Sequence, residues 1–101
     1  MKKPAPLKKD DALATLRSDN PAASEQDMGI YVDLFFEYHQ AQRLVDRIGP
    51  ITADPTTKMP MANPYVRVRD AAAEKMRSFR SLRADALWRS AWRIEAKEAK
   101  E

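Results

Sequence analysis

The 101-residue chain contains one His and no Cys. Thiolate nucleophiles, disulfides and Cys-bearing zinc sites are therefore excluded at the outset. His39 has no Ser partner at a recognisable spacing, and a lone His on a helix is more often a surface or capping group than a base or a ligand. Asp33 and Glu37 stand one helical turn apart and could share a cation only with a group from elsewhere; a solvated acidic face explains them as well. Gly-rich phosphate loops, GxSxG and HExxH are all missing. These observations argue against an enzyme, and no cofactor or metal is expected. The residue type that recurs with a pattern is Arg. At 100° per residue on a helix, Arg69, Arg77, Arg80 and Arg83 fall within about 120° of one another, beside an apolar stripe. Such a row of guanidinium groups can follow a phosphate backbone through bidentate contacts. Lys2, Lys3, Lys8 and Lys9 add a second, N-terminal source of positive charge.

The charge is segregated along the chain. Residues 19 to 48 hold six acids and two bases, net −4, whereas residues 65 to 93 hold eight bases and three acids, net +5. Two accounts follow from this. The segments could attract each other along the rims of their contact, through Arg residues paired with Asp33, Glu37 and their neighbours. Alternatively, the basic segment is left free for phosphate.

The elements that must position these groups are helices. Residues 1 to 9 hold four Lys and two Pro and read as a basic flexible arm. A single helical domain is expected over 10–94, starting with a short helix over 10–17, capped by Asp10 or Asp11, that carries Leu13 and Leu16 and stops before Asn20-Pro21. Ser24 opens the strongest element, over 24–48, with Tyr31, Leu34, Tyr38, Ala41, Val45 and Ile48 at steps of three and four. Gly49 in a left-handed conformation and Pro50 end it. The connection over 49–63 holds three of the seven Pro and is long enough for a small β-hairpin with Ile51 and Met59 or Met61 facing inward. Asn63 caps, and Pro64 begins, a helix over 64–83. Its apolar seam runs through Tyr65, Val68, Ala72, Met76, Phe79, Leu82 and Ala86. A phase change near residue 84 predicts a break and a further helix over 85–96 capped by Asp85. Residues 95–101 form a frayed charged tail.

The fold class is thus all-α: an antiparallel helical hairpin with a short N-terminal helix, a β-hairpin in the connection and a C-terminal helix. No apolar run approaches the roughly 18 residues of a membrane span, and the basic start is not followed by a hydrophobic stretch, so export and membrane insertion are not expected. Val32 and Phe36 lie off the main seam of the long helix. Together with Trp88 and Trp92 they exceed what a thin core covers, and they predict an oligomer interface, although Leu13 and Leu16 could cover the first two.

The stretch from Tyr31 to Arg89 resembles the phage terminase small subunit, the short helical family of tailed phages. An aromatic-rich helix ends Ala41-Gln42-Arg43-Leu44-Val45-Asp46-Arg47-Ile48-Gly49, a short connection follows, and Asn63-Pro64 opens a helix reading Asn-Pro-Tyr-Val-Arg-Val-Arg-Asp-Ala-Ala-Ala. Met76-Arg77-Ser78-Phe79-Arg80-Ser81-Leu82 then leads toward Arg89. Family members carry a Leu-Gly-Leu, Thr-Pro, Ser-Arg run at this point. Here Asp85 stands in for the Thr cap and Arg89 for the Arg, with the Gly and Pro absent. The resemblance implies a non-enzymatic packaging component in the host cytoplasm. Such a component forms a ring-like homo-oligomer, recognises viral double-stranded DNA and recruits the large terminase subunit, an ATPase and nuclease. Residues alone leave open a small helical DNA-binding or regulatory protein, or a helical protein–protein scaffold.

Overall fold

The computed structural model describes residues 5–94. Its elements are α1 (Lys9–Asp19), α2 (Glu25–Ile48), β1 (Ile51–Ala53), β2 (Pro60–Ala62), α3 (Pro64–Arg77) and α4 (Asp85–Arg89), with a single 3-10 turn at Ala91–Arg93. The protein is mostly helical, as the apolar periodicity predicts. Helix α2 starts where Ser24 accepts a hydrogen bond from the Asp27 amide at 3.0 Å, and it ends where the Gly49 amide donates to Val45 O. Gly49 has φ 98° and ψ 166°. This is the extended region of positive φ, which is open essentially to Gly alone, and not the left-handed helical conformation expected. A Cβ there would sit 3.8 Å from Ile51 O, an ordinary contact. The requirement for Gly is therefore conformational and not spatial.

The connection forms the predicted β-hairpin, antiparallel with Ile51 opposite Ala62 and Thr52 opposite Met61. Its loop is held by Asp54, whose Oδ1 accepts from the amides of Thr56 at 2.7 Å and Thr57 at 2.9 Å. The Thr57 and Thr56 amides hold that carboxyl below its usual pKa. The inward orientation expected for the apolar residues is not observed: Ile51 and Met59 are exposed and Met61 is half-buried. Three-residue strands with a single partner have no sheet face to bury.

Buried Asn63 closes the hairpin at its base. Its Nδ2 donates to Gly49 O at 2.7 Å, its Oδ1 accepts from the Tyr65 amide at 3.0 Å, and its own amide donates to Pro50 O at 2.8 Å. Pro64 follows as the first residue of α3, where its missing N–H costs nothing. Helices α2 and α3 therefore run antiparallel. Tyr65 and Val68 lie near Ala41 and Leu44, Arg69 meets Gln42, and Phe79 packs edge-on to Tyr31 with ring centroids 6.0 Å apart.

Helix α3 stops at Arg77, six residues short of the expected boundary. Ser78 turns its amide and hydroxyl back to Lys75 O, and the chain is then captured from another element. Asn20, buried after α1, donates through Nδ2 to Arg83 O at 2.8 Å and to Leu16 O at 2.9 Å, and accepts from the Arg83 amide at 2.7 Å. With its amide and carbonyl spent on Asn20, Arg83 has no place in a helical ladder. The break is thus where the phase change predicts a new element, but Asp85 does not cap it: Ala84 occupies the N-cap position and Asp85 is the first helical residue. Likewise Lys8, and not Asp10 or Asp11, is the N-cap of α1, with the Asp11 carboxylate accepting from its amide.

The core lies between α2 and everything else. Phe35, Leu16 and Leu87 are fully buried, and Leu7, Ala12, Val32, Phe36, Ala72, Met76 and Ile94 join them. Two expectations are corrected by this packing. Leu7, assigned to a flexible arm, is buried, and its amide donates to Arg93 O at 3.1 Å. Val32 and Phe36, assigned to an oligomer interface, are covered within the chain by the cluster that includes Leu16 of α1. No described helix is long and apolar enough to cross a membrane.

Candidate nucleic-acid interface

Of the four Arg residues assigned to one helical face, only Arg69 and Arg77 lie on α3. Arg80 and Arg83 follow its end, so the helical wheel does not apply to them. Arg69 is half-covered and serves the hairpin: Nη1 donates to Gln42 Oε1 at 3.1 Å and Nε to Asp70 Oδ1 at 3.0 Å. It is a bracket between helices. Arg77 is exposed and, among the described residues, bonded only to Glu74, one turn back on its own helix, at 2.9 Å. Arg80 and Arg83 are exposed and form no ion pair among the described residues. The clamp by Asn20 fixes the backbone from which the Arg83 side chain projects.

The interhelical pairing account fails on the same geometry. Asp33 bonds to Lys9 of α1 at 2.9 Å, Asp46 accepts from Gln42 on its own helix, and no described carboxylate of α2 pairs with α3. Lys9 is therefore engaged, Lys8 is exposed at the start of α1, and Lys2 and Lys3 lie outside the described residues, as does the tail over 95–101.

Beside Arg77 the surface turns aromatic. Tyr31, Tyr38, Ala73, Met76, Arg77 and Trp88 line an open cleft of about 340 Å³. Trp88 donates from Nε1 to the Tyr31 hydroxyl at 2.8 Å and packs edge-on to Phe35 and His39, with centroids at 5.1 and 4.7 Å. These contacts fix the ring in place, with 37% of the residue still exposed. His39 is enclosed by Phe35, Trp88 and Tyr38, and its Nε2 has no hydrogen-bond partner. Burial, with a smaller contribution from the Arg43 guanidinium, pushes its pKa down to about 4. A neutral, unpartnered imidazole in an aromatic cluster is a packing residue. Among the described residues no group of three His, Asp or Glu side chains could hold a metal ion.

Trp92, by contrast, is 63% exposed. Below it Arg43 of α2 reaches across to donate through Nη2 to Ala91 O and Trp92 O, each at 3.2 Å. At the C-terminal end of the same helix and in the hairpin that follows, Ile48, Ile51 and Met59 are exposed apolar side chains. The residues missed by sequence reasoning are Asn20 and Arg43, whose partners lie 63 and 48 positions away. The signal for Asn20 was its place before Pro21, which reads only as a helix stop. The chain matches no protein-family model, no curated protein and no solved structure.

Proposed function

We propose that the chain is a non-enzymatic DNA-packaging component of the terminase small subunit kind. In this reading it acts as a homo-oligomer in the host cytoplasm, binds viral double-stranded DNA and recruits the large ATPase-nuclease subunit. The observation that carries the reading is a set of exposed guanidinium groups, of which Arg77 bonds to Glu74 of its own helix and Arg80 and Arg83 form no ion pair among the described residues. Arg77, Arg80 and Arg83 are exposed, and none is paired with the acidic helix beside it. The β-hairpin between the long helices and the Asn63-Pro64 opening of α3 support the resemblance from which the packaging role comes.

Each phosphate neutralised by these groups releases condensed counterions, so duplex binding weakens steeply with salt. Repetition of three guanidinium groups around an assembly supplies affinity that one copy lacks. Replacing Arg77 and Arg80 together with Gln tests the reading. Loss of duplex retention with an unchanged melting temperature is expected, because exposed charges contribute little to stability. Full retention of DNA would sink it and would favour a protein scaffold, for which the exposed Ile51 and Met59 are the relevant surface.

A further inference from the structure

We propose that Trp92 is a stacking platform for an unpaired nucleobase, with Arg43 and Arg89 beside it taking the adjoining phosphates of single-stranded nucleic acid. This goes beyond the duplex reading and uses different residues. Trp92 is the most exposed aromatic group for which the fold has no evident use: Trp88, one turn earlier, is bound to Tyr31 and packed on Phe35, whereas Trp92 is 63% exposed. Arg89 precedes it by three residues across the turn from α4 into the 3-10 segment, where positions i and i+3 share a face. Arg43 rises from α2 beneath the same segment and spends one terminal nitrogen on the Ala91 and Trp92 carbonyls. Its other donors have no partner among the described residues, and neither Arg43 nor Arg89 forms an ion pair there. Asp46, one turn beyond Arg43, is held by Gln42.

The occupant follows from charge and shape. Guanidinium groups without acidic partners among the described residues call for a polyanion and oppose a second copy of the same surface. A single exposed indole among them offers a π-face on which any base can stack. Bases inside a duplex are already stacked on each other, so only an unpaired one can reach it.

The test uses Trp88→Phe, which leaves Trp92 as the only indole, titrated with a thymidine oligonucleotide of about ten residues and with an abasic strand of the same length. Quenching and tighter binding by the base-bearing strand are expected. Trp92→Ala should weaken that binding about tenfold, with helix content and sedimentation unchanged. Duplex binding by the protein with Arg77 and Arg80 replaced by Gln reports separately on the packaging reading. Equal binding of the abasic strand would overturn the proposal, as would unaltered binding by Trp92→Ala. A smaller assembly in Trp92→Ala would also overturn it and would assign the residue to an interface between copies. A response to anionic vesicles in place of oligonucleotide would assign it to a lipid surface.

Discussion

Two residues carry consequences out of proportion to their size. Asn63 is 1% exposed and has no spare atom: its amide nitrogen serves Gly49 O and its oxygen the Tyr65 amide. Asn63→Asp keeps the second bond but sets a carboxylate oxygen against the Gly49 carbonyl. A destabilisation of roughly 2–3 kcal/mol is expected from the lost donor and the buried charge, measurable by urea denaturation, and an unchanged midpoint would show that the hairpin base is not held there. His39 makes stability depend on pH. Its folded pKa of about 4 lies below the ordinary value of 6.5, so on acidification the unfolded chain takes up the proton first. Stability from this group is fully present above about pH 6.5, is lost as the pH falls toward about 4, and changes no further below that. The full displacement is worth roughly 3 kcal/mol; water at the exposed edge of the ring screens it, and a loss on the order of 1–2 kcal/mol is expected. Comparing wild type with His39→Phe across that window checks it, since the variant should lack this part of the acid sensitivity.

At the scale of elements, the decisive contact is the Asn20 clamp. Helix α3 and the segment behind it have apolar spacing that would sustain one helix to Leu82, yet the Arg83 amide and carbonyl both bond to Asn20. These two side-chain bonds to backbone outweigh the few propagation steps that a continued helix would add, each worth only tenths of a kcal/mol. Asn20→Ala is expected to cost about 2 kcal/mol or more, since the Arg83 groups are left without their partner. The same variant should lose duplex binding only in proportion to its unfolded fraction if Arg77 and Arg80 dominate, and beyond it if the Arg83 position matters. Thermal denaturation and DNA retention at a temperature well below the transition separate the two outcomes. The ends of the domain are joined in a comparable way. Leu7 bonds to Arg93 O, and Arg93 Nε donates to Ala5 O at 3.1 Å. The N-terminal segment therefore supports the very turn that presents Trp92.

At the scale of the whole molecule, the question is which surface remains for a second copy. Phe36 and Val32 are spent internally, so Phe36→Asp should unfold the monomer instead of shrinking an assembly. A buried charge in place of a packed ring costs several kcal/mol. The exposed Ile48, Ile51 and Met59 are the apolar groups left over at the hairpin end. Replacing Ile51 and Met59 with Ser is expected to lower the sedimenting mass while leaving the melting temperature of the folded chain within about 0.5 kcal/mol equivalent of wild type. A wild type that stays monomeric at high concentration would remove the oligomer from the functional reading. A head-to-tail contact would close into a ring or grow into a filament, and mass measurement distinguishes them.

Local chemistry determined what sequence could determine. The apolar steps of α2 as far as Val45, the Ser24 cap, the Gly49 stop, and the Asn63-Pro64 restart depend on neighbours within a few residues and are present in the fold, whereas Ile48, the last step expected, is exposed. The opposite charges of the two helices were equally visible, being a matter of counting. What tertiary structure decided were partners distant along the chain: Asn20 holding Arg83 outside any helix, Leu7 drawn into the core, Val32 and Phe36 buried in one cluster with Leu16 of α1, and Asp33 paired with Lys9 in place of an Arg. Periodicity reports that a side chain lies off the main seam, but not which element arrives to cover it. The energy of that arrival is set by contacts that no local window contains.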